Sequence, residues 1–178
     1  MAPRAKTSST KSFGRRSGSS VMLFNVRGIT GDDVNDLLDI DIKCFDYAWT
    51  PAEWSQICKT HAIAVGTYFG TPVGFGVCLR IGTDVELRKV AVKAPYRRRN
   101  LGRKLYNACV RFAIENHCTR MFAVVPESLI YPGSECIGSW LRKLGFRAQK
   151  PFIKDCFRMY GQSEDGVKFS QLLDRNSA

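Results

Sequence analysis

The chain has 178 residues, 44% of them hydrophobic, which is enough for one domain with a sizeable core and too few for two. Its 27 Lys and Arg against 16 Asp and Glu leave a net charge of +11, which favours anionic partners in general: nucleotides and other phosphorylated small molecules, nucleic acid or acidic surfaces. Seven cysteines without a Cys-x-x-Cys pair, only two histidines, and no apolar run near the roughly 20 residues of a bilayer span argue against a disulfide framework, a metal site and a membrane helix. A soluble, cytoplasmic chain with reduced thiols is expected.

Residues 1–20 carry Arg4, Lys6, Lys11, Arg15 and Arg16 among Ser, Thr and Gly, with Phe13 as their single aromatic. So little apolar surface does not offset the entropy of ordering, and the segment reads as a disordered basic tail. An organelle transit peptide and a nucleic-acid-binding arm are the other readings. The folded domain is expected over 21–160.

Val21 to Ile29 reads as a strand. Thr30 and Asp32-Asp33 then open a helix in which Val34, Leu37, Leu38, Ile42 and Phe45 recur at helical spacing. Thr50-Pro51-Ala52-Glu53 starts the next helix, with a capping Thr, Pro at the first helical position and a Glu that reaches back to the cap. His61 to Phe69 and Val73 to Leu79, separated by Gly70-Thr71-Pro72, form a hairpin, and Gly74 and Gly76 mark a place where something packs close. Val85 to Val92 is a third strand of this meander.

After a basic loop, Leu101, Leu105, Ala108, Cys109 and Phe112 line one helical face, and Thr119 to Val125 returns as a strand, so a parallel crossover is expected. Ser134 reads as the N-cap of a helix carrying Ile137, Trp140, Leu141 and Leu144, which Gly145 ends. Phe146 onward is strand again, and Phe152 to Tyr160 closes the domain. Gly161 to Ala178 reads as a tail, either frayed or with a short helix around 167–173.

The most informative stretch is the passage from strand through basic loop to helix. Arg97-Arg98-Arg99-Asn100-Leu101-Gly102-Arg103 lies where backbone N–H groups at a helix start lack internal partners and carry the positive end of the dipole. Small residues there let the backbone approach a pyrophosphate, and the arginines add attraction.

These residues resemble the phosphate loop of the GNAT superfamily of acetyl-coenzyme A-dependent N-acetyltransferases, Arg/Gln-x-x-Gly-x-Gly/Ala. Asn100 stands at the first glycine, and Asn tolerates left-handed geometry better than most non-glycine residues. The resemblance covers residues 21–160. It implies an α/β fold with one mixed sheet of about six to seven strands, N-terminal helices on one side and the acetyl-CoA site at its centre. It also implies that the backbone of Val90, Ala91 and Val92 pairs with the pantetheine arm of acetyl-CoA, and that Arg97, Arg98, Arg99, Asn100, Leu101, Gly102 and Arg103 hold the pyrophosphate. No metal is implied.

Alternation puts residues 84, 86, 88, 90 and 92 on one face of the strand, so Glu86 projects near the cofactor-binding end. The resemblance implies a general base at Glu86, which would take a proton from an amine that is otherwise protonated at neutral pH. Pairing with Arg88 is the structural alternative. Where relatives carry a tyrosine as general acid before the Gly-Phe end of the penultimate helix, this chain has Leu141. Tyr131, in the loop after the fifth strand, is the alternative acid, with Tyr106 a second; Ser134 is a cofactor-side candidate or an ordinary N-cap.

The segment from Phe45 through Tyr47, Trp49 and Trp54 is similar to the aromatic segment of ribosomal-protein alanine N-acetyltransferases. That likeness implies a peptide or protein N-terminus as acceptor, among primary amines that include lysine and small amines, with the amine attacking the thioester of acetyl-CoA directly; a monomer or homodimer is expected. Asp32, Asp33, Asp46 and Glu53 are the carboxylates expected to make the acceptor side acidic. Two other function classes remain: a catalytically idle module that binds coenzyme A, and a basic nucleic-acid-binding protein acting through its tail.

Overall fold

Local sequence chemistry sets the first elements. Strand β1 (Phe24–Gly28) leads to a turn in which Asp33 accepts from both guanidinium nitrogens of Arg27, at 2.6 and 2.8 Å, and from the Thr30 N–H and hydroxyl, each at 2.8 Å. This fixes the entry to helix α1 (Val34–Cys44). Helix α2 (Pro51–Thr60) opens with the expected capping box: Thr50 Oγ1 accepts from the Glu53 N–H at 3.2 Å, and the Glu53 carboxylate accepts from the Thr50 N–H at 2.7 Å. In the computed structural model the described residues are 23–130, 137–159 and 162–174.

Strands β2 (Ala62–Tyr68), β3 (Thr71–Ile81) and β4 (Asp84–Val92) extend β1 into an antiparallel meander. Helix α3 (Leu101–Glu115) crosses over to β5 (Arg120–Pro126), which lies parallel to β4. Helix α4 (Ile137–Lys143), β6 (Arg147–Ala148), β7 (Ile153–Met159) and β8 (Gln162–Leu172) complete one sheet in the order β1-β2-β3-β4-β5-β8-β6, with β7 also paired to β8. The fold is thus a mixed α/β sheet with the two N-terminal helices on one face, as expected.

The sequence reading is corrected at its end. The helix expected around 167–173 is strand: Val167 and Phe169 are buried at alternate positions, and β8 pairs with the full length of β5. The residues read as a C-terminal tail therefore supply an interior strand, the eighth among the described residues. The proposed basic tail at 1–20 lies outside the described residues.

Burial divides between the two faces. Leu37, Ile40, Trp54 and Ile57 from α1 and α2 pack on Ile63, Val65, Phe75, Val77 and Ala91. On the other face, Leu105, Cys109 and Ala113 of α3 are buried with Leu141 of α4 and the sheet residues Cys78, Val85, Leu87 and Met121. The close approach anticipated at Gly74 and Gly76 is that of α3. A Cβ on Gly76 would lie 3.2 Å from Cys109 Sγ, one on Gly74 would lie 3.3 Å from Leu105 Cδ1, and one on Gly66 would lie 2.8 Å from Leu101 Cδ1.

One buried ion pair joins α1 to β4. Lys89 Nζ lies 2.7 Å from Asp41 Oδ1, with side-chain exposures of 9% and 0%. Asp41 Oδ2 also accepts from the Trp49 N–H at 2.9 Å and from Trp54 Nε1 at 3.0 Å, so both carboxylate oxygens are satisfied. Lys89 donates to the Tyr47 carbonyl at 2.8 Å and sits 4.0 Å above the Trp49 ring. Burial pushes the Lys89 ammonium below its usual value, against the pull of Asp41.

Two stability measurements follow. Asp41→Ala strands a buried ammonium and is expected to cost about 3–5 kcal/mol in denaturant unfolding, while adding Lys89→Met recovers part of that loss because no lone charge remains. Gly74→Ala would set a methyl 2.6 Å from the Ala91 carbonyl oxygen, in the backbone, and is expected to lower stability by about 1–3 kcal/mol.

Candidate active site

Strands β4 and β5 run side by side only briefly. Asp84, Val85 and Glu86 pair with Arg120, Met121 and Phe122, and beyond them residues 87–92 and 123–126 have no pairing with each other. The sheet therefore splits next to Glu86, and the end of β4 leads directly into the basic loop.

A bulge changes which residues face which side. Leu87 pairs with Cys78 and Lys89 with Val77, so Arg88 is an extra residue in β4. Val85 and Leu87 are buried in the cluster beneath α3, which turns Glu86 toward the α1–α2 face. Past the bulge the parity inverts: Val90 and Val92 pack on the α3 side, while Lys89 and Ala91 face α1 and α2. The expected single face of 84, 86, 88, 90 and 92 is corrected accordingly. Glu86 lies opposite Val90 and Val92, because strict alternation does not survive an inserted residue.

The structural alternative for Glu86 is present. Arg88 Nη1 lies 3.2 Å from Glu86 Oε2, and the Arg88 guanidinium stands 6.0 Å from the centre of the Trp49 ring. The Glu86 side chain is 16% exposed, held at the sheet surface and within reach of the split.

The loop bends where the sequence suggested. Arg98 and Asn100 have φ of 58° and 68°, in the left-handed region, and Asn100 is the N-cap of α3 without a side-chain cap hydrogen bond. Arg98, Arg99 and Arg103 are exposed beside this helix start, Leu101 is buried, and Gly102 has open space up to Trp140, 3.8 Å from a built Cβ. An uncapped helix start with cations around it fits a pyrophosphate. Arg97 is different. Its Nε donates to the Val92 carbonyl at 2.9 Å, so its side chain ties the loop to the end of β4, and that carbonyl is already engaged.

Tyr131 and Ser134 lie outside the described residues. Leu141 is buried core. Tyr106 is also core: Gln171 Nε2 donates to its hydroxyl, and burial raises its pKa. Of the carboxylates expected on the acceptor side, Asp33 is paired with Arg27 and Glu53 caps α2, so both are held in local structure, and Asp46 is exposed.

Sequence reading missed three participants. Tyr47 Oη donates to Glu164 Oε2 at 3.0 Å, and Glu164 Oε1 accepts from the Ser128 N–H at 2.5 Å, so the loop after α1 is tied across the split to the far side of β5. Burial raises the Tyr47 pKa, and the Glu164 bond adds to that rise. Lys89 reaches the α1–α2 face only because of the bulge at Arg88, and Glu164 falls in the segment read as a tail. The third, His61, carries a buried Nε2 without a hydrogen-bond partner among the described residues. Among these residues no group of three or more His, Cys, Asp or Glu is placed to hold a metal ion, and no helix is long and apolar enough to cross a membrane.

Comparison with known proteins adds the following. Residues 34–129 match the acetyltransferase (GNAT) family. No curated protein matches the chain. Among solved structures, the ribosomal-protein-S18-alanine N-acetyltransferase of Escherichia coli superposes with a TM-score of 0.71 at 14% identity, over 85% of this chain and 95% of that one. The ribosomal-protein-alanine N-acetyltransferase of Brucella melitensis gives 0.68 at 18% identity, over 84% and 99%. Ard1 of Thermoplasma volcanium gives 0.71 at 17%, over 85% and 98%. At such identities the solved structures establish the likeness of fold, while the match over the strand, the loop and α3 goes further. With its split sheet, its left-handed basic loop and that match, the chain belongs to the acetyltransferase (GNAT) family.

Proposed function

We propose that this enzyme transfers the acetyl group of acetyl-CoA to a primary amine, with a peptide or protein N-terminus as the favoured acceptor. The observation that carries the reading is the position of Glu86, at the point where β4 and β5 part and on the face opposite α3. Acetyl-CoA supplies an acyl thioester. Arg98, Arg99, Asn100, Leu101, Gly102 and Arg103, with the first N–H groups of α3, hold its pyrophosphate, and Arg97 keeps the loop in register with the strand. The β4 backbone at Val90, Ala91 and Val92 aligns the pantetheine arm in the split. Glu86 takes the proton that the amine must lose before it attacks. Tyr131 is the proposed donor to the leaving thiolate, and Ser134 a further contact of the cosubstrate. Free thiols at Cys44, Cys58, Cys78, Cys109, Cys118 and Cys156 agree with a reducing, cytoplasmic setting.

A second reading, a coenzyme A-binding module without turnover, is favoured by one observation: Glu86 already has a cationic partner in Arg88. Calorimetry and kinetics separate the two. Acetyl-CoA is expected to bind, and a panel of peptides and small amines is expected to accelerate thiol release. Glu86→Gln is expected to lower kcat by about 10²–10⁴-fold with acetyl-CoA affinity unchanged. Binding without any amine-dependent release in the wild type decides for the idle module.

The loop makes its own prediction. Asn100→Gly relieves a left-handed residue and is expected to bind acetyl-CoA at least as tightly. Asn100→Val, β-branched at φ 68°, is expected to lose about tenfold in affinity, from a backbone cost of about 1–2 kcal/mol.

A further inference from the structure

His61 closes α2, where its N–H donates to the Ile57 carbonyl at 2.9 Å, and its extended backbone, φ −115° and ψ 156°, runs straight into β2. Ile63 and Val65 face α1 and α2, so two-residue alternation puts His61 on that face too. The sheet register sets its neighbours. Ala62 pairs with Cys78, and Leu79 pairs with Glu86, so His61, Leu79 and Glu86 lie abreast across three strands. Leu79 shares the face of Phe75 and Val77, and Glu86 shares it as well.

Hydrogen bonding assigns the tautomer. Thr60 Oγ1 lies 2.9 Å from the Gln56 carbonyl oxygen, which can only accept, so the single hydroxyl hydrogen is committed there. The 2.7 Å contact between Thr60 Oγ1 and His61 Nδ1 then requires the ring to donate. Nδ1 carries the hydrogen, and Nε2 presents a bare lone pair. That atom is buried and has no protein partner among the described residues. A buried imidazole acceptor without a donor is costly unless something brings it a proton.

The charged groups acting on the ring come from β4. Burial lowers the His61 pKa below its ordinary value, Arg88 lowers it further, and Glu86 opposes them. The hydroxyl contact comes from α2, and the neighbour on β3 is the apolar Leu79. The ring is therefore held neutral, abreast in the sheet of the carboxylate proposed to collect the amine proton.

We propose that His61 is a relay residue acting through Glu86: after Glu86 has taken the proton from the acceptor amine, that proton passes across one water to His61 Nε2. Glu86 returns to its carboxylate form, His61 becomes an imidazolium, and the imidazolium releases a proton to solvent before the next turnover. Imidazole is ordinarily a stronger base than a carboxylate by about two pKa units; burial and Arg88 narrow that gap here and Glu86 widens it, so the exchange is close to balanced and runs readily in both directions. The relay rests on the reading of Glu86 as general base, and its tests keep the two apart.

Nitrogen-detected NMR of the full chain, which has only two histidines, reads the ring directly. The expected result is an Nδ1–H tautomer at His61 whose pKa falls further in Glu86→Gln, since the carboxylate that raises it is gone. An Nε2–H tautomer, or a His61 titration indifferent to Glu86→Gln, overturns the relay. Kinetics give the second arm. His61→Asn keeps a donor toward Thr60 and removes Nε2. It is expected to lower kcat by at least about tenfold with acetyl-CoA affinity intact. It should also remove the part of the fall in rate expected of the wild type as pH drops through the depressed His61 pKa, where the protonated ring accepts nothing, and leave the part set by protonation of the amine. A full rate with that fall retained overturns the relay while Glu86→Gln is still impaired. If Glu86→Gln is equally unimpaired, the general-base reading itself fails. Should His61→Asn not fold, the wild-type tautomer and the Glu86→Gln titration still decide.

Discussion

The extra residue at Arg88 is the constraint on which the rest of the site depends. Without it, the lysine following it would point into the apolar layer beneath α3, where Val85 and Leu87 are already packed. With it, Lys89 turns to α1, meets Asp41, and places a cation under Trp49 and the Tyr47 carbonyl. The loop between α1 and α2 is thereby tied to the middle of β4. Asp41 serves this arrangement from the other side, since its second oxygen fixes both Trp49 and Trp54. A buried charge is tolerated here because each polar group around it is satisfied.

The split between β4 and β5 gives the sheet two differently charged approaches. On the α3 side, exposed arginines surround an uncapped helix start, a setting suited to phosphates. On the α1–α2 side lie the Glu86 carboxylate and the hydrogen-bonded pair of Tyr47 and Glu164. The chain's net charge of +11 is thus a poor guide to local charge, since these carboxylates lie on the face away from the basic loop. The bridge from Tyr47 through Glu164 to Ser128 ties the two lips of the split together at that face.

Local signals were legible in the sequence and long-range ones were not. Thr50-Pro51-Ala52-Glu53 specifies its own helix start, and Gly145 its own stop at φ 97°. Asn100 in a left-handed turn follows from what asparagine tolerates. The position of Glu86 along β4 came from the motif, but its face depended on counting through an unbroken strand, and the bulge is invisible without the partner register in β3. Strand β8 was hidden by its polar start at Gln162–Asp165, although Val167 and Phe169 carry the two-residue period. Tyr47 and Glu164 are more than a hundred residues apart, joined only by folding. His61 looked like an ordinary strand-opening residue, because its significance lies in a hydrogen bond that Thr60 has already committed elsewhere.

The glycines beneath α3 bear on the site in a geometric way. Gly66, Gly74 and Gly76 let the helix rest nearly on the sheet backbone, with Leu101, Leu105 and Cys109 filling the space that side chains would otherwise occupy. The start of that helix follows the basic loop, and the sheet beneath it carries Glu86 on its opposite surface. Sheet-to-helix spacing therefore sets the height of the basic loop above the face that carries Glu86. In effect the glycine row is a gauge block. It fixes the distance from the start of α3 to the parting of β4 and β5.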